Sequence, residues 1–329
     1  MLARRIARKI LRAVRRRRPR PAILMYHRVV ALQKDPWNLA VAPELFDAQM
    51  EYLRTRRSPM NMDELIDRLE RKQLPADAVA VTFDDGYLDN LVNAKPVLLK
   101  HQVPATVFVS TGFTGSGSPF WWDELADMIL AAVDPMEVEV IIDARPVRLE
   151  WRAPEPGDAD PKWRGWDEPC TARQRSYVAA WSQLESASRE VRASVLDQLR
   201  QRLRAMSDPL SLPMNAVQIK SLVDGGLISV GAHTVTHRAL TDLDERGRRE
   251  EITDSRGACR AMTDRAVTGF AYPYGKFDAA ASRIVAEAGF SWACTTEHRC
   301  LDAGSTRRFE LPRIEVVNRP IGAFVAAVS

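Results

Sequence analysis

The chain has 329 residues and a mass of 37.0 kDa, enough for one large domain or two small ones. Apolar residues make up 46% and charged residues 27%, and no run approaches the ~20 apolar residues of a membrane-spanning helix; collagen-like, low-complexity and wholly disordered chains are excluded. The four cysteines form no C-x-x-C pair and are too few for a disulfide scaffold, so we expect reduced thiols and a cytoplasmic protein.

The net charge of +4 arises from the N-terminus. Residues 1–20 hold ten Lys or Arg and no acid, which leaves 37 basic and 43 acidic residues, a charge of −6, on the rest. Apolar residues recur at helical spacing between Leu2 and Val14, so residues 1–21 are predicted to be a basic amphipathic arm, without the features of a secretory signal peptide. We expect peripheral contact of residues 1–20 with the anionic inner face of the membrane. A solvated tail is the main alternative. Nucleic-acid binding is not expected, because the rest of the chain, residues 21–329, has a net negative charge.

From residue 22 onward, apolar strands alternate with helices, which predicts a parallel α/β architecture. In the first half the predicted elements are strand 22–26, helices 43–54 and 63–71, strand 78–83, helix 90–101 and strand 105–110. In the second half they are helix 215–224, strand 227–231, helix 243–262, strand 269–272, helix 278–288, strand 291–295 and a short C-terminal helix.

The alternation breaks off over residues 113–214. A hairpin is predicted there from strands 137–143 and 147–151, joined by Ala144-Arg145-Pro146. A loop follows at 153–169, and then a charge-rich helical stretch, read as two helices. We interpret 113–214 as an insertion packed on a single domain that spans residues 22–329.

Four polar clusters directly follow predicted strands. They are His27, Asp84-Asp85, the pair His233 and His237, and the segment 272–275. Ligands of parallel α/β folds bind at the carboxyl ends of strands, so these clusters are candidates for one site. Two histidines four residues apart share a face on a helical turn, where they could bind one metal ion with a carboxylate, for which Asp85 is the natural donor. Alone, an H-x-x-x-H pair or an Asp-Asp-Gly turn is more often structural.

The motifs V-T-F-D-D-G (81–86), H-T-V-T-H (233–237) and A-Y-P-Y-G (271–275) together resemble the polysaccharide deacetylases of carbohydrate esterase family four, the NodB-homology domain. The resemblance covers about residues 22–112 and 215–300. It implies a distorted (β/α) barrel of about seven strands. It also implies a hydrolase that cleaves the amide of an N-acylated amino sugar in a polysaccharide or glycan precursor.

The resemblance further implies one divalent metal ion, Zn²⁺ first, with Co²⁺, Ni²⁺ or Fe²⁺ as alternatives. Its expected ligands are Asp85, His233 and His237. Asp84 would be the general base that takes a proton from metal-bound water. The backbone N–H of Tyr274, after Pro273, would stabilise the oxyanion.

The family's general acid lies in a late L-x-H motif that this chain lacks, since His298 does not follow a strand. Residues 23–27, Ile-Leu-Met-Tyr-His, have that motif's shape at the start of the chain. Some poly-N-acetylglucosamine deacetylases look circularly permuted in this way. We therefore expect His27 to be the acid, with a buried core histidine as the alternative.

Two family positions differ here. The third motif usually begins with an Arg that steadies the base, but this chain has Ala271, so Arg313 is a candidate substitute from a neighbouring strand. Trp292 either closes the pocket for the acyl methyl group or is a core residue. The pair Trp121-Trp122 is either a sugar platform or, as we prefer, an anchor for the insertion.

Three functions remain open at this stage. The first is a metal-dependent N-deacetylase. The second is a deformylase or amidase that acts on a lipid-linked or nucleotide sugar. The third is a decayed enzyme that binds carbohydrate or scaffolds a membrane complex, as Ala271 would suggest.

Overall fold

The computed structural model describes residues 19–132, 134–142, 145–152, 155–158, 160–203, 209–302, 304 and 306–329. The predicted arm lies outside these residues except for its last three positions. Among the described residues, no helix is both long and apolar enough to cross a membrane.

The strands alternate with helices over most of the chain. The strands are β1 (Ala22–Tyr26), β2 (Arg28–Val29), β3 (Ala40–Val41), β4 (Ser58–Pro59), β5 (Ala78–Phe83), β6 (Ala105–Val109), β7 (Met136–Ile142), β8 (Arg145–Trp151), β9 (Ile228–Ala232), β10 (Gly269–Ala271), β11 (Trp292–Cys294) and β12 (Ile314–Glu315). The α-helices are α1 (Pro43–Arg56), α2 (Met62–Glu70), α3 (Lys95–His101), α4 (Trp121–Leu130), α5 (Ala172–Leu184), α6 (Arg189–Arg200), α7 (Ala216–Val223), α8 (Glu245–Thr263), α9 (Ala279–Glu287) and α10 (Ile321–Ala327).

Seven parallel strands form the central sheet in the order β11-β10-β9-β6-β5-β1-β12, and β4 adds to β5. The segment 308–315 contacts both edges of this sheet. Ala293 in β11 donates to Arg308 O (2.8 Å), whereas Ile314 in β12 pairs with Leu24 in β1. The sheet therefore curls into a distorted barrel, which confirms the predicted fold class.

The strand order also shows where the start of the chain lies. β1 pairs in parallel with β5 on one side and with β12 on the other. The first and last strands are thus neighbours, and the residue after β1 reaches the same barrel end as the residues after β5 and β9. A strand moved from one end of the chain to the other keeps its place in such a barrel.

Alternate residues of each strand face two different layers. In β5, Val79 and Val81 pack in the cluster beneath the outer helices, whereas Ala78 and Ala80 face the barrel interior. α2 lies against one end of this interior, where Leu65 belongs to the same cluster. The carboxyl ends of the strands, at the opposite end, are left for polar groups.

The segment 113–214 has a hydrophobic core of its own, formed by the hairpin β7–β8 and helices α4, α5 and α6. α4 was not among the predicted elements. The predicted connection of the hairpin needs a correction, because Arg145 and Pro146 already lie in β8 and pair with Ile142 and Ile141. The other predicted helices and strands are confirmed to within a few residues, although helix 90–101 begins with a π-helical turn, Asn90–Ala94.

Candidate metal centre and active site

The carboxyl ends of neighbouring strands bring the predicted polar residues together. Asp84 and Asp85 follow β5, His27 follows β1, and His233 follows β9. Asp85 has a left-handed backbone (φ 72°) and is followed by Gly86 (φ 87°), so the chain turns sharply and its carboxylate points toward the histidines. All of these side chains except His27 are buried.

Asp85, His233 and His237 form one cluster of potential metal ligands. One ligand atom from each lies within 4.8 Å of the others. Asp85 Oδ1 is 3.7 Å from His233 Nε2 and 3.4 Å from His237 Nε2. Two imidazole nitrogens and one carboxylate oxygen are a common protein ligand set for a catalytic divalent ion.

The chain between the two histidines is not the helical turn that the spacing suggested. Thr234 (φ 64°) and His237 (φ 54°) both have left-handed backbones, and the imidazole centroids are 4.9 Å apart. Thr234 Oγ1 accepts a hydrogen bond from His237 N (3.0 Å). A local side-chain bond and two unusual backbone angles thus achieve the convergence that we had attributed to helical spacing.

Glu251 on α8 clamps this loop. Its Oε2 accepts hydrogen bonds from Val235 N (2.7 Å) and Thr236 N (2.9 Å), and its Oε1 accepts one from the Thr236 hydroxyl. One carboxylate therefore satisfies three donors between the two histidines. Sequence reasoning missed Glu251, because helix α8 carries many charged residues and no motif distinguishes Glu251 from the others.

The hydrogen bonds of the cluster leave lone pairs where a cation would need them. Ala271 O accepts from His233 Nδ1 (2.8 Å), which assigns the proton to Nδ1 and leaves Nε2 free. Asp85 Oδ1 is buried and has no hydrogen-bond partner among the described residues. An unpaired buried carboxylate oxygen is costly, and a bound cation would remove that cost.

Electrostatics agree with a cation site. Burial lowers the pKa of His233 and, further, that of His237, so both imidazoles favour the neutral state that can ligate a metal. Burial, together with the nearby charges of Asp84 and Asp123, raises the pKa of Asp85. A divalent ion would reverse that last effect by stabilising the carboxylate. The residues present therefore fit a divalent metal ion.

Asp84 is held as a carboxylate by Arg313. Arg313 Nη1 donates to Asp84 Oδ1 (2.7 Å) and Nη2 donates to Oδ2 (2.8 Å), a two-point contact that is fully buried. Burial raises the pKa of Asp84, but the Arg313 guanidinium outweighs it with help from His233, and the pKa lies well below its ordinary value. Arg313 comes just before β12 and reaches the base from the strand next to β1, as expected for the substitute of the missing arginine at Ala271.

His27 lies beside the same carboxylate. Its Nε2 is 4.0 Å from Asp84 Oδ2, and its side chain is 17% exposed. Burial lowers its pKa to about 4 despite the opposing charge of Asp84. The imidazole is therefore neutral at pH 7 in the metal-free protein. His298 lies elsewhere, with Nδ1 accepting from Glu315 N (3.4 Å).

Tyr274 follows buried Pro273 and has a left-handed backbone (φ 57°). Its ring lies edge-on to His237, with centroids 4.7 Å apart. The segment after β10 thus reaches the metal-ligand cluster, as the motif order led us to expect.

Trp292 has the contacts of a core residue. It is 2% exposed, packs edge-on against Phe108, and donates from Nε1 to Asp63 Oδ1 (2.8 Å) at the end of the barrel covered by α2. Its ring also fills the space beside Gly269, where a Cβ atom would lie only 2.1 Å away. Of the two expectations for Trp292, these contacts support the core residue and correct its inclusion among the substrate-binding residues.

The insertion supplies a wall of the site. Trp122 is buried, with its ring 4.8 Å from that of His237, and its Nε1 donates to the Tyr87 hydroxyl (2.7 Å). That hydroxyl donates in turn to Asp123 Oδ2 (2.7 Å). Trp121 and Trp122 therefore anchor the insertion, as we preferred, and Trp122 in addition packs on a metal-ligand candidate. Sequence reasoning missed Tyr87 and Asp123, which carry no motif.

Replacing Glu251 by Gln is expected to weaken metal binding about 10- to 100-fold, because one oxygen that holds the 233–237 loop is lost. Competition with a chromogenic chelator measures this affinity. Glu250→Gln, on an exposed position of the same helix, is the matched control and should bind metal normally. Equal affinities for the two variants would show that Glu251 does not position the loop.

Comparison with known proteins assigns the family. The family model "Polysaccharide deacetylase" matches residues 71–137 and 198–293. The chain belongs to the polysaccharide deacetylase family. The model's two matched segments carry the Asp-Asp-Gly and His-x-x-x-His motifs and leave out residues 138–197 in the middle of the insertion, and β1 also lies outside them.

Relatives and solved structures extend this result. The poly-β-1,6-N-acetyl-D-glucosamine N-deacetylase of Staphylococcus epidermidis is 32% identical over 108 residues, 28% of this chain and 37% of that protein. The chain thus matches only about a third of the length of the curated relatives. The Streptococcus pyogenes deacetylase PplD, solved with acetate, has a TM-score of 0.58 at 20% identity and aligns over 91% of this chain and 93% of its own. IcaB from Ammonifex degensii has a TM-score of 0.56 at 20% identity, with 94% and 97% covered. At this identity both structures support the fold.

Proposed function

We propose that the protein is a metal-dependent hydrolase that removes an N-acetyl or other N-acyl group from an amino sugar of a glycan. One observation carries the proposal. Asp85, His233 and His237 form a cluster of potential metal ligands, and it lies beside a second carboxylate, Asp84, that Arg313 keeps ionised. Membership of the polysaccharide deacetylase family and the N-deacetylase relatives support the same chemistry.

In this proposal Asp85, His233 and His237 hold one divalent ion, with Zn²⁺ the first candidate. Such an ion lowers the pKa of bound water and polarises the amide carbonyl. His233 is oriented for this role by its bond to Ala271 O, and His237 by the loop that Glu251 clamps. The backbone N–H of Tyr274 is the candidate donor to the oxyanion.

Proton transfer is assigned to two side chains of this chain. Asp84 accepts a proton from the attacking water, and Arg313 keeps its oxygens in place meanwhile. The leaving amine needs a proton, for which His27 is the donor. Because burial lowers the pKa of His27 to about 4, the imidazole is neutral at rest and gains its proton during the reaction, either from Asp84 or through its exposed edge.

The contact between Arg313 and Asp84 weakens the case for a decayed enzyme. That alternative rested on Ala271, where relatives carry the arginine that steadies the base. Here the same contact comes from a residue 229 positions away from Asp84. A scaffold protein would not need a buried, ionised carboxylate beside a cation site.

Metal analysis combined with acyl release tests the proposal. Purified protein is assayed for bound metal and for acetate and formate release from single and oligomeric N-acylated amino sugars. We expect one metal per chain, acetate release from at least one substrate, and loss of activity after chelation that added Zn²⁺ or Co²⁺ restores. Metal-free protein with full activity, or no release from the whole panel by metal-loaded protein, would refute the proposal.

We also propose that residues 1–20 hold the enzyme on the cytoplasmic face of the membrane. The support is the apolar stripe from Leu2 to Val14 among arginines, together with the net negative charge of the rest of the chain. Full-length protein should sediment with phosphatidylglycerol vesicles, less so as salt rises, and little with phosphatidylcholine vesicles.

A chain that starts at Pro21 is the control for this prediction. It should stay in the supernatant yet keep normal activity on a small soluble substrate. If full-length protein also stays in the supernatant at physiological salt, the membrane proposal fails. A steep linear fall of log affinity with log salt on RNA would instead indicate nucleic-acid binding.

A further inference from the structure

The two candidate histidine ligands are held in different ways. Nδ1 of His233 donates to Ala271 O, whereas Nδ1 of His237 is buried and has no hydrogen-bond partner among the residues that the structure describes. A metal-bound histidine almost always donates its second ring N–H to an oxygen, and that bond fixes the orientation of the imidazole. The orientation of His237, whose Nε2 lies 3.4 Å from Asp85 Oδ1, therefore depends on other contacts.

Two aromatic rings pack against His237. The centroid of the Trp122 ring, from α4, lies 4.8 Å from that of the imidazole at an angle of 47°, and the Tyr274 ring lies 4.7 Å away at 68°. Because His237 and Trp122 are both buried, the imidazole cannot turn without displacing the indole. Ring packing thus takes the place of the missing hydrogen bond. One of the two rings belongs to the barrel and the other to the insertion.

Trp122 is itself fixed by a chain of polar contacts. Its Nε1 donates to the Tyr87 hydroxyl (2.7 Å), which donates to Asp123 Oδ2 (2.7 Å). The Arg28 guanidinium lies 4.5 Å from the centre of the Tyr87 ring, and Arg28 Nε donates to Asp89 Oδ2 (3.0 Å). The indole is therefore bonded to the barrel, through Tyr87, as well as being part of the insertion.

Arg192 connects the insertion to the loop between the two histidines. It lies on α6, is 3% exposed, and donates from Nη1 to Thr236 O (3.1 Å). Its Nε donates to Leu184 O (2.8 Å) and its Nη2 to Glu185 O (2.6 Å), so other residues of the insertion hold the guanidinium in place. Glu251 accepts from the N–H and the hydroxyl of Thr236, and Arg192 thus satisfies the remaining polar group of that residue.

We propose that the insertion is part of the metal centre, with Trp122 and Arg192 as the residues that position His237 for a divalent ion. Linkage then requires the reverse effect, in which a bound ion stabilises the contact of the insertion with the barrel. This inference rests on the metal centre of the proposed function and assigns a role to the insertion. Arg192 lies outside the two segments that the family model matches.

Metal affinity tests the proposal without turnover. The Zn²⁺ affinity of full-length protein is measured by competition with a chromogenic chelator. Trp122→Leu should weaken it about 10- to 100-fold, and Trp122→Phe, which keeps an aromatic face against His237, should recover most of the loss. Arg192→Lys should weaken it about tenfold. Since Lys keeps the positive charge, this change reports the lost hydrogen bonds.

Trp151→Leu and Arg173→Lys are the matched controls. Both residues are buried and bond to other residues of the insertion, Trp151 to Asp134 O (2.9 Å) and Arg173 to Asp158 (3.4 Å). Both variants should bind Zn²⁺ with the affinity of wild type. An equal loss of affinity in the controls would indicate a general disturbance of the insertion and would overturn the positioning role. If Trp122→Leu does not fold, Arg192→Lys and its control decide the question.

Hydrogen exchange tests the reverse effect. Addition of Zn²⁺ to chelator-treated wild type should slow amide exchange in α4 and α6 more than in α2, which lies at the other end of the barrel and reports global unfolding. Trp122→Leu should abolish this difference. Unchanged affinity in Trp122→Leu and Arg192→Lys, or equal slowing in the three helices, overturns the inference while the hydrolase function stands. Wild type that binds no metal would instead refute the proposed function.

Discussion

Replacing Asp84 by Asn is expected to lower turnover by about 10²- to 10⁴-fold while the metal content stays at one per chain, because a general base is lost and no ligand is. Asn keeps the shape and cannot accept a proton at neutral pH. Acetate release and elemental analysis of the same preparation measure the two quantities. Asp278→Asn is the matched control, since Asn caps α9 as well as Asp does and lies outside the site.

The folded state of this variant needs its own check. Arg313 is fully buried against Asp84, and removal of one partner of a buried ion pair costs about 3–5 kcal/mol. If Asp84→Asn fails to fold, the double variant Asp84→Asn with Arg313→Met removes both charges and should restore the thermal transition while remaining inactive. Activity near wild type in either folded variant would exclude Asp84 as the base.

His27→Gln tests the partner of Asp84 in the same assay. We expect a loss of similar size, because the imidazole beside Asp84 is the assigned donor to the leaving amine. Near-wild-type turnover of this variant would end the assignment and with it the interpretation of β1 as a relocated late motif.

Replacing His233 or His237 by Ala is expected to reduce bound metal to below about a tenth of an equivalent, since each supplies one of only three protein ligands in the cluster. Activity should fall to background and should not return on addition of excess Zn²⁺ at micromolar concentration. Thermal unfolding of both variants in chelator should resemble that of metal-free wild type, which shows that the barrel persists.

The remaining histidines provide the controls for this experiment. His101 Nε2 lies 2.8 Å from Asp47 Oδ1 on α1, and His298 lies beside β12, so alanine at either position should leave metal content and turnover unchanged. If the double variant of His233 and His237 retains full metal, the ion binds elsewhere and the candidate centre is wrong.

The amino-acid sequence by itself determined the parallel α/β architecture and the residues of the candidate centre, and the resemblance to the deacetylase family implied the barrel. Strands buried on both faces, such as Ala78–Phe83, appear as short continuous apolar runs, and polar residues that directly follow them must lie at one end of a parallel sheet. Asp84, Asp85, His233 and His237 were found in this way, because both signals are local in the chain. The place of β1 beside the last strand was inferred from a motif at the wrong end of the chain.

Contacts between distant segments could only come from the tertiary structure. Arg313 was a candidate substitute for the missing arginine, but only the fold places its guanidinium on Asp84, and the contacts of Glu251 with the 233–237 loop have no sequence signal at all. A left-handed backbone at Thr234 was found instead of the expected helical turn. Trp292 lies in the core, and the sequence could not show this, because a tryptophan in a strand gives the same pattern whether it faces a pocket or packed neighbours. Trp37 packs against Trp166 and Trp181, both more than a hundred residues further along the chain. Side-chain pairing of this kind depends on how layers pack in three dimensions, which periodicity along the chain does not record.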